Sequence, residues 1–276
     1  MTRKQQPTQE IIHLAALHLE GYSAMMASRC RATADSIRRA TALLGEALDM
    51  GFCYVPAKDI PKIRDLVSRY GNDLPPGLLL GGKGTLEDIL NNLDIHTLAV
   101  VGTRNITYYG RSVVKQRLQG VTDTAIVTGF GLGVADTAMK EAFDRGLPVI
   151  AVPGTGPGDC YPYAMRGSLE KILDTPGCAV VTPFFPHSEP TPFNFLYRNR
   201  IVAALADETF VAETKMKGGA MITARLARSF GKAVTAAPGR IDDIASHGCN
   251  QLIAEETADI WIPWTASQWK TENTTE

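Results

Sequence analysis

The residues that could do chemistry fall in a few short stretches. Gly102, Thr103 and Arg104 end the apolar run Leu98–Val101 and are followed by Tyr109 and Gly110. A second run, Ala125–Thr128, ends in Gly129, Phe130, Gly131, Leu132 and Gly133, and a third, Val149–Val152, in Pro153-Gly154-Thr155-Gly156-Pro157-Gly158. Further on, Phe195 precedes Arg198-Asn199-Arg200, and Lys215-Met216-Lys217-Gly218-Gly219 opens a helical pattern. Glycine after a strand lets backbone or ligand approach without obstruction by Cβ. The free N–H groups of a following helix start can hold an anion. Arginine and lysine in the same turns turn that backbone geometry into an expected anion site. Arg198 and Arg200 are expected at a helix start, where a cation opposes the helix dipole and so calls for an external anion. Phe193, Phe195 and Tyr197 either plug the core beneath their loop or leave one ring beside the arginines to stack on a base.

Other chemistries find less support. Gly81-Gly82-Lys83-Gly84 lacks the spacing and the Ser or Thr of a Walker loop, and Gly129-Phe130-Gly131-Leu132-Gly133 is GxGxG, not the dinucleotide GxGxxG. The histidines (His13, His18, His96, His187, His247) have no evident Ser or Cys partner, and neither HExxH nor GxSxG occurs. No catalytic residue, metal ligand or cofactor is therefore assigned, and a binding protein is expected in preference to an enzyme.

The elements that must position these residues alternate regularly. Strands are expected at Leu98–Val101, Ala125–Thr128, Val149–Val152, Ala179–Val181, Thr209–Ala212 and Val234–Ala236, with a further one near Asp259–Ile262. Helical patterns follow at about 111–119, 134–145, 163–173, 198–206, 220–230 and 248–256. Continuous apolar strands, each followed by a helix, imply an α/β fold with a mainly parallel sheet covered on both faces. Ligands of such sheets collect at the carboxyl ends of the strands, where the glycine turns lie. Upstream, helical spacing over Glu10–Gly21, Ser36–Gly51 and Asp59–Tyr70 suggests a small all-helical domain, 1–74. A short strand, Leu78–Leu80, and a helix, Leu86–Leu93, open the main domain, 75–265, and a polar tail, 266–276, follows it.

Bulk composition bounds the function. The chain has 276 residues and a formal net charge of −1. Eleven Lys/Arg face eleven Asp/Glu in residues 1–97, and sixteen face sixteen in 98–265. Nucleic-acid binding, if present, must come from a local pocket and not from global charge. The five cysteines are odd in number and form no CxxC pair, which supports neither a disulfide framework nor a zinc site and suits a reducing cytoplasm. The polar start lacks a signal-peptide core, and no run approaches the ~18 apolar residues of a membrane span.

Taken together, the turns resemble the DprA (Smf) family of bacterial DNA-processing proteins. The resemblance runs from about Leu78 to Ile262. It rests on Val101-Gly102-Thr103-Arg104 with Tyr109-Gly110, Thr128-Gly129 with Gly133, and Tyr161-Pro162. It continues through Phe195 with Arg198-Asn199-Arg200-Ile201, Gly219 with Ile222-Thr223-Ala224, Ala237-Pro238-Gly239, and Gly248-Cys249-Asn250-Gln251-Leu252-Ile253. It implies an extended Rossmann-like fold, usually dimeric, that binds single-stranded DNA in a basic pocket and hands incoming strands to RecA during natural transformation. The family's DNA-contacting arginine falls on Arg104, its RNR segment on Arg198, Asn199 and Arg200, and its late glycine turn on Gly218-Gly219. With Gly102, Thr103, Tyr109, Gly110, Gly129, Gly131, Phe195 and Lys217, these are the expected DNA-binding residues. The chain departs from the family's SGxARGID turn: Leu132 stands for the arginine, Ala135 for the aspartate and Met139 for a following histidine. Such a remodelled pocket keeps a second reading open, a nucleotide-recognising sensor or hydrolase.

Overall fold

The computed structural model describes residues 6–263; the expected tail, 266–276, lies outside them. The chain opens with α1 (Gln9–Leu19), the short α2 (Ala24–Ala27) and α3 (Ala34–Asp49), then β1 (Phe52–Pro56), α4 (Pro61–Tyr70), β2 (Gly77–Gly82) and α5 (Leu86–Asp94). The alternating part follows as β3 (His96–Gly102), α6 (Tyr108–Leu118), β4 (Thr124–Thr128), α7 (Val134–Asp144), β5 (Val149–Ala151), α8 (Arg166–Asp174) and β6 (Ala179–Thr182). It ends with α9 (Pro192–Leu205), β7 (Glu208–Glu213), α10 (Gly219–Ser229), β8 (Ala233–Ala236), α11 (His247–Ala254) and β9 (Asp259–Ile260).

Threonines start most of the longer helices. Thr8, Thr33, Thr107 and Thr191 each accept an N–H of the first turn, and Thr85 forms a reciprocal capping box with Asp88. Among the described residues nine strands form one sheet in the order β1-β2-β6-β5-β4-β3-β7-β8-β9. The pairs β1–β2 and β2–β6 are antiparallel; the remaining pairs are parallel. Side chains alternate with the strand period. Ala99 and Val101 enter one core with Ile63 of α4, Ile89 of α5, Ile201 of α9 and Ala224 of α10. Leu98 and Val100 enter the other with Ile12 of α1, Leu44 of α3, Val114 of α6 and Ala138 of α7. The sheet is thus a mainly parallel, Rossmann-like layer between two helical layers, as the strand pattern implied.

Two readings need correction. Helices alone were expected over 1–74, but Phe52–Pro56 is a strand, and it pairs with β2 at the sheet edge. The pairing matches aromatics to glycines: a Cβ on Gly81 would lie 2.6 Å from the Phe52 ring, and one on Gly77 equally close to Tyr54. The signal was the alternation of Phe52 and Tyr54, too short to stand out between two helical patterns. Side chains of 1–74 also enter both cores. Second, α9 begins at Pro192 and not near residue 198, because Thr191 caps it and Pro192 fits its first turn. Arg198, Asn199 and Arg200 therefore lie well inside a helix, and the argument from an opposing helix dipole does not apply to them.

Candidate nucleic-acid interface

At β3 the chain switches direction across the sheet, with β4 on one side and β7 on the other. Parallel sheets open a crevice at such a point. A cleft of about 750 Å³ lies there, lined by the turns after β3, β4 and β7, the starts of α7 and α10, and one face of α9. It gathers Gly102, Thr103, Arg104, Gly129, Gly131, Phe195, Arg198, Asn199, Lys217, Gly218 and Gly219. Lys215, Leu132, Ala135, Tyr161 and Thr223 complete much of the wall. Among the described residues no Asp or Glu lines it.

The turn after β3 is held by backbone. Thr103 donates its N–H to the Glu213 carbonyl at 2.7 Å, and its own carbonyl accepts Val134 N–H at 3.1 Å. Gly133 permits that contact: its φ is +76°, and a Cβ there would lie 2.3 Å from the Thr103 carbonyl oxygen. Arg104 thereby points from a pinned backbone, with its guanidinium 4.8 Å from the centroid of the Phe195 ring.

Arg198 is the most telling side chain. It is 8 % exposed, donates from Nη1 to the Val152 carbonyl at 2.7 Å, and leaves its buried Nε without a partner. Among the described residues no carboxylate pairs with it. Burial, and then the charge of Arg104, pull its pKa down to about 9, so it is still charged at neutral pH but costly to hold. Gly129 makes room for it, since a Cβ there would meet Nη1 at 2.3 Å. On the opposite wall α10 starts at Gly218-Gly219 with no side-chain cap, Lys217 precedes it, and Asn199 Nδ2 donates to the Gly219 carbonyl at 3.4 Å. Two guanidiniums, nearby ammonium groups and an uncapped helix start give the cleft the chemistry that suits an anion.

Three expected residues do not line the cleft. Arg200 lies over the Tyr197 ring, 5.5 Å from its centroid. On a helix, residues two apart point about 200° from one another, so Arg198 and Arg200 cannot share one face. The Tyr109 hydroxyl donates to the Pro238 carbonyl, tying α6 to the loop after β8. Gly110 gives space to a residue that sequence reasoning missed, the buried carboxylate of Glu213. Glu213 accepts from Thr107 N–H at 2.9 Å and from Thr107 Oγ1 at 2.5 Å. The start of α6, expected to be open to an external anion, is thus already served by an internal one. The only hint was an acid ending the apolar run Thr209–Ala212.

Of the departures in the second glycine turn, Leu132 and Ala135 face the cleft, whereas Met139 is buried in the core. Asp136 pairs with Lys140 at 2.8 Å and does not take the place of the missing aspartate. Among the described residues no cluster of His, Cys, Asp or Glu could hold a metal ion, and no helix is long and apolar enough to cross a membrane.

Comparison with known proteins agrees with this architecture. The chain is 36 % identical over 179 residues to the DNA processing protein DprA of Streptococcus pneumoniae, covering 64 % of this chain and 61 % of the relative. It is 31 % identical over 188 residues to Protein Smf of Escherichia coli, covering 66 % and 48 %. The chain thus matches only about half to three-fifths of the length of these relatives. Among solved structures, the Streptococcus pneumoniae protein superposes with a TM-score of 0.70 at 28 % identity, over 94 % of this chain and 91 % of that one. DNA processing protein A of Helicobacter pylori, studied for its single-stranded DNA binding mode, shares the fold with a TM-score of 0.61 at 22 % identity, over 81 % and 95 %. The family model described as DNA recombination-mediator protein A matches residues 60–268, and the chain belongs to that family.

Proposed function

We propose that this chain binds single-stranded DNA in the cleft at β3 and acts as a recombination mediator without turnover, passing the strand to RecA during transformation or recombination. The observation that carries this reading is the buried, carboxylate-free guanidinium of Arg198 beside Arg104. A phosphate entering the cleft would supply the missing counter-charge. Lys215 and Lys217 would meet neighbouring phosphates, while exposed Leu132, Tyr161 and Leu196 offer apolar surface to bases. Such contacts read backbone and ring faces, so little sequence preference is expected. Family membership and the single-stranded DNA binding addressed for the Helicobacter pylori protein support the same reading. Assembly as a homodimer and action in the cytoplasm belong to this proposal.

The alternative, a nucleotide-recognising sensor or hydrolase, draws on Leu132 and Ala135, which make one wall less polar. Its hydrolytic form finds no carboxylate or histidine among the described residues that line the cleft.

The test is fluorescence anisotropy with a labelled single-stranded oligonucleotide, comparing wild type with Arg104→Ala. Salt-sensitive binding weakened at least tenfold by the substitution is the expected result. Failure of the wild type to bind at low salt, together with thermal stabilisation by a mononucleotide, would overturn the DNA reading in favour of the nucleotide one.

A further inference from the structure

Helix α9 presents two stripes. Pro192, Phe195, Leu196, Arg198 and Asn199 line the cleft. Phe193, Tyr197 and Arg200, spaced i, i+4 and i+7, share the stripe beside it, and exposed Leu196 is the border between the two. This outer stripe is a ladder of flat groups. The Arg200 guanidinium lies 5.5 Å from the centroid of the Tyr197 ring, and the Phe193 ring stacks on Tyr197 at 5.9 Å with 21° between the planes. The ladder is fixed in the middle, where Phe184 from the loop after β6 braces half-buried Tyr197 at 6.1 Å. It is open at the Phe193 end. That ring is 68 % exposed and, among the described residues, meets no ring other than Tyr197.

The stability of α9 does not call for this arrangement. A ring pair four residues apart supports a helix only slightly, and α9 already has its Thr191 cap and a buried face. An exposed phenyl ring held nearly parallel to a tyrosine is a half-filled stack, with one face free for another flat group. The charge at this place is favourable as well. No carboxylate pairs with Arg200 among the described residues, and its charge outweighs that of Asp73 at the Tyr197 hydroxyl. Its contact with the ring uses none of its N–H donors, which stay available to a phosphate.

We infer that this stripe is a second subsite for single-stranded DNA, where the strand leaving the cleft past Leu196 lays a base on Phe193 and brings a phosphate to Arg200. The inference rests on the single-stranded DNA reading and extends the path of the strand beyond the cleft. A free ring face takes any base, so the subsite adds affinity with strand length and not with sequence.

The experiment is anisotropy with labelled oligothymidylates of increasing length. Wild type is expected to gain affinity in two stages, as strands first fill the cleft and then reach Phe193. Phe193→Ala is expected to bind the shortest strands like wild type, which also reports that it is folded, and to lose about fivefold or more on longer ones. Phe193→Trp is expected to keep the second stage, and Arg200→Gln to lower the salt slope on long strands by about 0.7. Removing the bases from each flank of a long strand in turn is expected to reproduce the Phe193→Ala loss from one flank only. A fluorescent adenine analogue on that flank is expected to be quenched by wild type and not by Phe193→Ala. Equal losses on strands of every length would place Phe193 in the cleft, and no loss at any length would leave the stripe without DNA. Either result overturns the subsite while the cleft keeps its reading. Unchanged binding with an altered oligomeric state of Phe193→Ala in light scattering would make the stripe a contact between copies and overturn it too. Failure of wild type to bind any strand at low salt would end the single-stranded DNA reading and the subsite with it.

Discussion

Arg198 shows how a single side chain divides stability from function. Its guanidinium is buried, like-charged with its neighbour Arg104, and only partly hydrogen-bonded. An unpaired buried charge is a burden on the fold that an apolar side chain of similar length does not impose. Arg198→Met is therefore expected to keep or raise the urea unfolding midpoint while weakening single-stranded DNA binding more than tenfold. A variant that lost stability but bound normally would show Arg198 to be structural. Gly129 acts through the same contact, because an added methyl would meet Nη1. The importance of Arg198 was legible as a residue type beside Asn199 and Arg200, but its burial was not. Nor could the sequence separate Arg198, turned into the cleft, from Arg200, turned onto Tyr197; the packing of α9 against Val152 and Gly129 decides that.

The starts of α6 and α10, which follow the neighbouring strands β3 and β7, are served differently. The start of α6 receives the Glu213 carboxylate, held against Thr107, whereas α10 begins at glycines without a cap. Of these two, only the start of α10 lines the cleft without an internal side-chain partner. On the other side of the molecule, β1 is joined to α1 and to the loop after β6 through His18, Tyr54 and Phe185. The Tyr54 and Phe185 rings stack at 5.9 Å, and His18 Nδ1 lies 3.2 Å from the Tyr54 hydroxyl. Burial lowers the His18 pKa to about 4 from 6.5, favouring the neutral ring in the fold. The unfolded chain then takes up the proton first as pH falls, so this stability is present above about 6.5 and lost on the way down to about 4. The shift sets a ceiling of about 3 kcal/mol, lowered by the solvent that reaches part of the ring. Urea unfolding of wild type and His18→Phe at pH 7 and pH 4.5 checks this: the acid loss is expected to be smaller in the variant. An equal loss in both would place the acid sensitivity elsewhere.

At the scale of the whole molecule, net charge and binding chemistry point in different directions. A chain at −1 gains no long-range attraction for DNA, and the cleft must supply its own field. Arg104, Arg198, Lys215 and Lys217 line it without a carboxylate among them. If each meets a phosphate, the logarithm of the binding constant is expected to fall against the logarithm of salt with a slope of about −3, and Lys217→Ala to reduce that slope by about 0.7. A titration over several salt concentrations measures both. A slope near zero would mean that the cleft does not hold phosphates. The segment before the main domain is tied in by a polar hub of similar economy. Asp207 accepts from Lys62 of α4 at 2.6 Å and from the Thr97 N–H and hydroxyl of β3. Burial works against its ionisation, yet these partners hold its carboxyl below the usual range.

The sequence by itself determined the alternation of strand and helix, the mainly parallel sheet and the glycine turns, because the strand period of two, the helix period of 3.6 and the glycine's lack of a Cβ are local properties. It also singled out eleven of the residues that meet in the cleft. What only the tertiary structure decided depends on partners distant in the chain. Phe52–Pro56 becomes a strand because Gly77 and Gly81 receive its aromatic rings. Glu213 claims the start of α6, ~100 residues before it in the chain, through contacts that no local pattern encodes. Arg198 gains its meaning from the space at Gly129 and the carbonyl of Val152. Charge and turn chemistry are written along the chain; desolvation and the absence of a counter-ion arise only when the chain has packed.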